Sequence, residues 1–412
     1  MRHQSSSKSA AALRAISVLL AATATLTSHA ANADTQHSLD VSVGASAGRN
    51  PYLETAGGGW RAAGTLTLDP RIWTGNEVTS AVFTGELRLR EYTSQYQSDE
   101  TVNVGAALQT RLSERAIVSG GINLMSSRSG ALDVLQIAPS SPPDQSTFPA
   151  PDLVPPDISA VGRGTRITRY FAHAGLDGTL SPRSQIHVDV SGGYTESQRS
   201  TGQNYGQVDV AIDYTNVLSP RTSLITSLTL GGADYRAPVF RDADYAAPLI
   251  GIKTSLSENV SLTIQGGVTL THFVGGGDHV EAAANANLCR VWLHSTICAV
   301  VARRSAPTAY DGVSTSDTAG LSYSLQTGSA DRWALSANYG RTRGLDALAS
   351  GVRRSTTVFG ASADYSHAFG KRTFAFIRPS ATFDRASASV NAPTRSSVQL
   401  EVGIRQHFGD SR

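Results

Sequence analysis

The chain has 412 residues, of which 40% are hydrophobic and 17% are charged, with 38 Gly and 2 Cys. The charged fraction is below the roughly 25% of ordinary soluble domains, and two cysteines exclude a disulfide-dense secreted scaffold. Beyond the N-terminus no run approaches the ~20 apolar residues that a membrane-spanning helix needs, which excludes a helical membrane protein. Short apolar segments recur to the end of the chain, which excludes a disordered one.

Residues 1–33 predict a secretory signal peptide. Arg2, Lys8 and Arg14 supply a positive start, a short apolar run follows, and Ala31-Asn32-Ala33 is an A-x-A cleavage site. Cleavage near Ala33 removes three basic and no acidic residues, so the formal charge changes from +2 to −1, with 32 basic against 33 acidic residues. Such a near-neutral chain gives no electrostatic case for nucleic-acid binding.

Similar turns recur along the chain at a fixed spacing. Their serines at 181, 219 and 257 are 38 residues apart, and this period predicts a repeated unit of two strands. The four clearest turns are Leu112-Ser113-Glu114-Arg115, Leu180-Ser181-Pro182-Arg183, Leu218-Ser219-Pro220-Arg221 and Leu256-Ser257-Glu258-Asn259. Asp69-Pro70-Arg71 predicts an earlier turn, and the sequence predicts later ones at 328–331 and 370–372.

Between the turns, apolar and polar residues alternate. Val260, Leu262 and Ile264 share one face, while Ser261 and Thr263 lie on the other. This period of two predicts strands with one apolar and one polar face. Repeated along the chain, it predicts about eighteen strands, including 59–68, 246–256, 296–304 and 317–327.

These strands predict one all-β domain over residues 34–412, a transmembrane up-and-down antiparallel β-barrel of about eighteen strands. Most of them run for about 12–15 residues, against a mode of about 5–6 in globular proteins. Their polar faces carry both signs of charge, and aromatic residues cluster near strand ends, as in an interfacial girdle. A soluble β-protein with core aromatics is the alternative interpretation. Side chains cannot fill a barrel of this size, so a channel or a plugged lumen follows.

The signal peptide, the Leu-Ser-Pro/Glu-Arg/Asn turns and the terminal strand ending in Phe408 resemble bacterial outer-membrane β-barrels. More specifically, the chain resembles a family of β-barrel porins often linked to exopolysaccharide loci. The resemblance implies a Gram-negative outer membrane, contact with its lipid, and an assembly machinery that reads the last strand. It also implies a pore for hydrophilic solutes, with exopolysaccharide and periplasmic export components as partners.

Residues 129–165 interrupt the repeat with a Pro-rich segment. Seven of the 16 prolines fall between Pro139 and Pro156, and such a stretch cannot join a β-ladder. It is the third long connection of the predicted barrel. General porins fold this connection into the lumen as a constriction, so the resemblance implies a lumenal gate; an external loop is the alternative.

Two cysteines straddle the turn at Leu293-His294. Antiparallel pairing across this turn places Cys289 opposite Cys298, where side chains are close. Because the periplasm is oxidising, we expect a cross-strand disulfide. Two unpaired thiols are the alternative, and the sequence around the pair predicts no metal site.

The alternation turns a set of charged residues towards the lumen, where charges tune ion selectivity. The candidates are Glu86, Arg88, Arg90, Arg111, Arg169, Asp177, Asp189, Asp209, Asp213, Lys253, Glu281, Asp364, Glu401 and Arg405. The sequence predicts no cofactor and contains no H-E-x-x-H or P-loop motif, so we expect a non-enzyme. A lipid-modifying barrel enzyme and a surface adhesin or structural barrel are the alternatives.

Overall fold

The fold is described from a computed structural model, which covers eleven stretches of the chain. The predicted signal peptide and most of the Pro-rich segment lie outside the described residues. Those residues are 34–54, 59–93, 98–128, 135, 157–161, 164–198, 204–236, 240–310, 312–345, 355–387 and 394–409.

The described chain forms eighteen strands, each antiparallel to the next, and the last strand pairs with the first. The all-β prediction of a closed up-and-down barrel is therefore confirmed. Among the residues that the structure describes, no helix is long and apolar enough to cross a membrane. The strands are β1 Asp34–Arg49, β2 Trp60–Gly75, β3 Thr79–Tyr92, β4 Ser98–Ser113, β5 Ala116–Arg128, β6 Arg166–Ser181, β7 Ser184–Ser197, β8 Tyr205–Ser219, β9 Thr222–Tyr235, β10 Ala243–Ser257, β11 Val260–Phe273, β12 Asp278–Val291, β13 Ser295–Thr308, β14 Gly312–Thr327, β15 Asp331–Gly344, β16 Ser355–Ala368, β17 Thr373–Ser387 and β18 Thr394–Gly409.

The two faces of the sheet differ as the sequence pattern predicts. On β18, Val398, Leu400 and Val402 are 42–46% exposed, while Ser397 and Gln399 between them are buried. Side chains alternate between the two faces of a strand, so the exposed apolar face is the outside of the barrel and the polar face is the inside. An exposed apolar wall of this kind fits hydrocarbon rather than water.

Short turns join the strands at one end of the barrel and are stabilised by their serines. The Oγ of Ser113, Ser181 and Ser219 accepts a hydrogen bond from the backbone N–H two residues further on, at 3.2–3.3 Å. The longer connections all lie at the other end. In outer-membrane barrels the short turns are periplasmic and the long loops external, so we call the long-loop end the outer end.

The predicted turn at Asp69-Pro70-Arg71 is wrong. β2 continues through these residues to Gly75, and Leu39 of β1 pairs with Pro70. Proline has no N–H to donate, and the β2–β3 register accordingly has a break between Leu68 and Arg71. Gly85 of β3 accommodates the ring, because an added Cβ there would lie 3.0 Å from Pro70 Cγ.

Cys289 and Cys298 pair directly across β12 and β13 and form a disulfide. They lie nine residues apart in the sequence, in strands that the β-ladder already holds together. We therefore expect free-thiol labelling of the unreduced, denatured protein to detect neither cysteine. Labelling of both would contradict the disulfide.

Arginine substitutions test which face meets lipid. Ile264 lies near the middle of β11 and is 47% exposed on the outer face. We expect Ile264→Arg to lower the free energy of unfolding in lipid vesicles by about 2–4 kcal/mol, because it places a charge in hydrocarbon. The control is Asn285→Arg, at an exposed position on the inner face of β12. Equal losses in the two variants, measured by urea titration, would contradict this orientation.

Candidate pore lumen and its outer mouth

The register turns the predicted charged residues towards the inside of the barrel. Each lies on the strand face opposite the outward apolar side chains, as Asp209 does beside Val208, which is 59% exposed. The set is spread around the wall rather than gathered in one cluster. Its members are Glu86, Arg88 and Arg90 on β3, Arg111 on β4, Arg169 and Asp177 on β6, Asp189 on β7, Asp209 and Asp213 on β8, Lys253 on β10, Glu281 on β12, Asp364 on β16, and Glu401 and Arg405 on β18.

An arginine that the sequence analysis missed joins two of these acids. Arg378 of β17 donates from Nε to Asp364 at 2.6 Å, and its Nη1 lies 3.8 Å from Glu401. Its neighbour Ile377 is 40% exposed on the outer face, so the alternation of β17 would have revealed the inward position. The three side chains tie β16, β17 and β18 together across the inner wall.

The wall at β6–β8 is acidic. Asp177, Asp189, Asp209 and Asp213 all turn inward there. His187 lies between two of them in the register, and its Nδ1 is 2.7 Å from Asp177 Oδ1. Carboxylates concentrated on one side of a water-filled lumen favour cations there.

At the outer end, β13 leaves the barrel wall. The β12–β13 register ends at Ala284 and Arg303, whereas β13 remains paired with β14 as far as Thr308 and Gly312. The end of this hairpin therefore moves away from β12 as a two-stranded unit. The predicted strands 296–304 and 317–327 are too short, because β13 continues to Thr308 and β14 begins at Gly312.

Two tyrosines on distant strands hold the end of the hairpin. Tyr205 of β8 donates to the carbonyl of Pro307, and Tyr235 of β9 donates to that of Thr308, both at 3.3 Å. The Tyr235 oxygen also accepts from the Thr308 N–H at 3.2 Å. Because β10, β11 and β12 separate β9 from β13 along the wall, the hairpin end must reach inward across the mouth.

The end of the Pro-rich segment meets the same hairpin. Asp157 begins the 3₁₀ helix Ile158–Ala160 and accepts from the Ala309 N–H at 2.7 Å. Ser159 Oγ accepts from the Tyr310 N–H at 3.2 Å and donates to Asp157 at 2.6 Å. All of these groups are buried, so the hydrogen bonds are shielded from water.

Apolar packing surrounds these hydrogen bonds. The largest of three buried clusters within the described residues joins the hairpin end to β6, β8, β9, β10 and β11. It comprises Ala160, Ile167, Tyr205, Ala233, Tyr235, Phe240, Ala243, Phe273, Ala309, Tyr310, Val313 and Leu345. The second contains Leu53, Ile158, Val161 and Val358. We call the hairpin end, residues 305–310 and 312–316, together with residues 157–161, the mouth plug.

Gly312 permits the tight end of the hairpin. Its φ is +66°, a conformation that L side chains rarely adopt. A Cβ at this position would also lie 2.9 Å from the ring of Phe240. The glycine therefore lets β14 begin directly against the apolar cluster.

The connection between β1 and β2 also contacts the plug. Leu53 is fully buried against Ile158 and Val161, and the neighbouring Tyr52 donates to Asp99 at 2.6 Å. Burial and the Asp99 carboxylate raise the pKa of the Tyr52 hydroxyl above its ordinary value. Tyr52 is thus held neutral, as a hydrogen-bond donor at the rim of the lumen.

No group of three or more His, Cys, Asp or Glu side chains is placed to hold a metal ion within the described part of the chain. The described residues instead form a polar inner wall and a mouth plug at the outer end of the barrel.

No family model matches the chain, and no curated protein matches it by sequence. Among solved structures, Pseudomonas aeruginosa OccK5 (OpdH) is 10% identical, with a TM-score of 0.47 over 92% of this chain and 99% of that one. Pseudomonas aeruginosa OccK7 (OpdD) is 11% identical, with a TM-score of 0.46 over 92% and 99%. The siderophore receptor PirA from Pseudomonas aeruginosa is 10% identical, with a TM-score of 0.43 over 90% and 80%. At this level of similarity, these structures do not indicate the function of the barrel.

Limited proteolysis tests the plug. Tyr310 is 1% exposed, so the folded protein should resist chymotrypsin there. We expect the variant Asp157→Ala/Tyr205→Phe/Tyr235→Phe to be cut at Tyr310 about tenfold faster, since each lost buried bond costs about 1–3 kcal/mol. The control is Tyr214→Phe, on the outer face of β8. Cleavage of both variants at the wild-type rate, measured by mass spectrometry, would contradict the assignment.

Proposed function

We propose that this protein is an outer-membrane channel for hydrophilic solutes. The observation that carries the proposal is the closed eighteen-strand sheet, whose outer face is apolar and whose inner face carries charged side chains. Lipid outside and water inside account for both faces. A barrel of this strand number encloses more space than its own side chains can fill.

The mouth plug supports a selective channel rather than a wide one. It is fixed to β8 and β9 by Tyr205 and Tyr235, and to β6 through the apolar contact of Ile167. An inward obstruction reduces the open cross-section, and the polar groups beside it decide which solutes pass. Solutes that enter past the plug then meet the acidic wall of β6–β8.

We propose that two described parts of the Pro-rich segment, Leu135 and Asp157–Val161, lie inside the lumen. Their contacts support this position. Leu135 accepts at its carbonyl a 2.9 Å hydrogen bond from Asn338, an inward side chain of β15 that is 1% exposed. Asp157–Val161 contribute to the plug itself.

An exopolysaccharide is the solute that the family resemblance implies, and we propose it as the cargo on that basis alone. Such a polymer would cross in an extended form and would need hydrogen-bonding groups along the wall. Periplasmic export components would then dock at the short-turn end. Addition of the purified polymer to one side of a bilayer should block the channel current, and an unaltered current would count against this cargo.

Insertion into the membrane is proposed to use the last strand. Phe408 lies on the outer face of β18, is 48% exposed and pairs with Leu39 of β1. We expect Phe408→Ala to lower the amount of heat-modifiable barrel in the outer membrane severalfold, because the assembly machinery loses its terminal aromatic. The control is Phe383→Ala, an aromatic of similar exposure on β17. Equal yields of the two variants would contradict a special role for Phe408.

Planar-bilayer recording tests the channel. The wild-type barrel should give stable single-channel currents. The plug variant Asp157→Ala/Tyr205→Phe/Tyr235→Phe should give a larger conductance, about twofold or more, because the open cross-section grows. Tyr214→Phe should match the wild type.

Two results would contradict the proposal. An absence of current in both wild type and plug variant would exclude a channel and favour an adhesin or a lipid-modifying barrel. A plug variant with wild-type conductance would retain the channel but exclude the plug as its constriction.

A further inference from the structure

Three outward arginines lie close together at the outer end of β15 and β17. Arg341 pairs in register with Thr357 of β16, and Thr357 pairs with Arg385 of β17. Arg343 lies two residues beyond Arg341 on the same face of β15. We call Arg341, Arg343 and Arg385 the arginine patch.

A row of exposed aromatics lies directly below the patch, towards the middle of the barrel wall. Tyr339 pairs with Phe359, and Phe359 pairs with Phe383. Tyr339 lies two residues before Arg341, and Phe383 lies two residues before Arg385. The three rings are 36–44% exposed, and the Phe359 and Phe383 centroids lie 6.3 Å apart. This aromatic row belongs to the face that meets lipid.

Among the described residues, the patch carries more positive charge than its neighbours balance. Its register neighbour Asp317 already lies 3.5 Å from Arg303. Arg341 and Arg385 are two strands apart, about 10 Å between backbones, which their long side chains can span to reach one anion. The Nε of Arg341 is buried and has no hydrogen-bond partner within the described residues.

Five other outward positions at this end carry the opposite charge, and Arg49 of β1 carries the same charge. The acidic positions are Glu91 on β3, Glu100 on β4, Glu196 on β7, Asp234 on β9 and Asp244 on β10, and all five are exposed. The arginine patch is therefore a local feature of one arc, and a uniform basic rim does not account for it.

We propose that this arc binds a phosphorylated, acylated lipid of the outer leaflet. The guanidinium groups match a phosphate in charge and geometry. The aromatic row lies where the acyl chains of the same molecule would pack. A free phosphate would contact only the arginines. Because the aromatic row lies directly below them on the lipid-facing wall, a lipid is favoured as the occupant.

Binding is tested on the folded protein in a non-ionic detergent, with dioctanoyl phosphatidic acid as the probe. We expect Arg341→Gln/Arg343→Gln/Arg385→Gln to weaken binding about tenfold or more, because charge-assisted bonds to the phosphate are lost. Phe359→Ala/Phe383→Ala should also weaken it severalfold. The control is Arg236→Gln, an exposed arginine at the same end after β9, which should bind as the wild type does.

Two further probes identify the source of the phosphate. Dioctanoylglycerol, which lacks a phosphate, should bind as weakly to the wild type as phosphatidic acid binds to the triple variant. Inorganic phosphate should compete only weakly. Equal affinity for inorganic phosphate, or no effect of the phenylalanine substitutions, would overturn the lipid assignment, as would binding by the triple variant at wild-type strength.

Two control measurements distinguish loss of lipid binding from misfolding and from loss of channel activity. Heat-modifiable mobility confirms that each variant is folded, and Arg343→Gln/Arg385→Gln replaces the triple variant if removal of the partly buried Arg341 prevents folding. Both substituted side chains are exposed and lie outside the lumen, so the single-channel conductance should stay unchanged in every arginine variant.

Discussion

The pairing of backbone groups is the constraint from which the rest of this structure follows. Hydrocarbon offers no hydrogen bonds, so a chain that crosses it as strands must pair each N–H and C=O with another strand. The chain meets this requirement by joining β18 to β1, from Ser38 with Gly409 to Arg49 with Val398. Once the sheet is closed, strict alternation gives it an apolar outside and a polar inside, and the polar inside makes a lumen.

The outer mouth is the place where this pairing is relaxed. Asp278–Ala283 of β12 keep their register partners on β11, but within the described residues they have none on β13. At the point where the strands separate, Arg303 contacts Glu281 at 3.1 Å and Asp317 at 3.5 Å. An open strand edge is tolerated where water or protein covers it. The inward course of the hairpin end therefore has two effects. It narrows the lumen, and it leaves the neighbouring edge of β12 without a strand partner within the described residues.

Local pattern was enough to predict most of the fold. The period of two predicted the strands, their faces and the opposition of Cys289 and Cys298, because each depends on residues close in sequence. The strand position of Pro70 does not follow from local pattern, since its fit depends on Leu39 and on the space above Gly85.

The mouth plug could not be predicted in the same way. Asp157 meets Ala309 across 152 residues of sequence, and Tyr205 meets Pro307 across 102. Such contacts depend on the path of a hairpin that leaves the wall, and that path has no periodic signature. Arg378 is a different case, because its inward position follows from alternation and its two carboxylate partners are set by the neighbouring strands.

The closing seam sets the order in which this barrel can form. Each other pair of neighbouring strands is consecutive along the chain, so it can zip as soon as its turn is made. The β1–β18 pair joins residues 349 to 371 positions apart, which makes its loop-closure entropy the largest of any neighbouring pair. A nearly complete open sheet would thus precede the native state, with both terminal edges exposed to any other chain nearby. We therefore expect another molecule to cover the edges of β1 and β18 until the two strands pair.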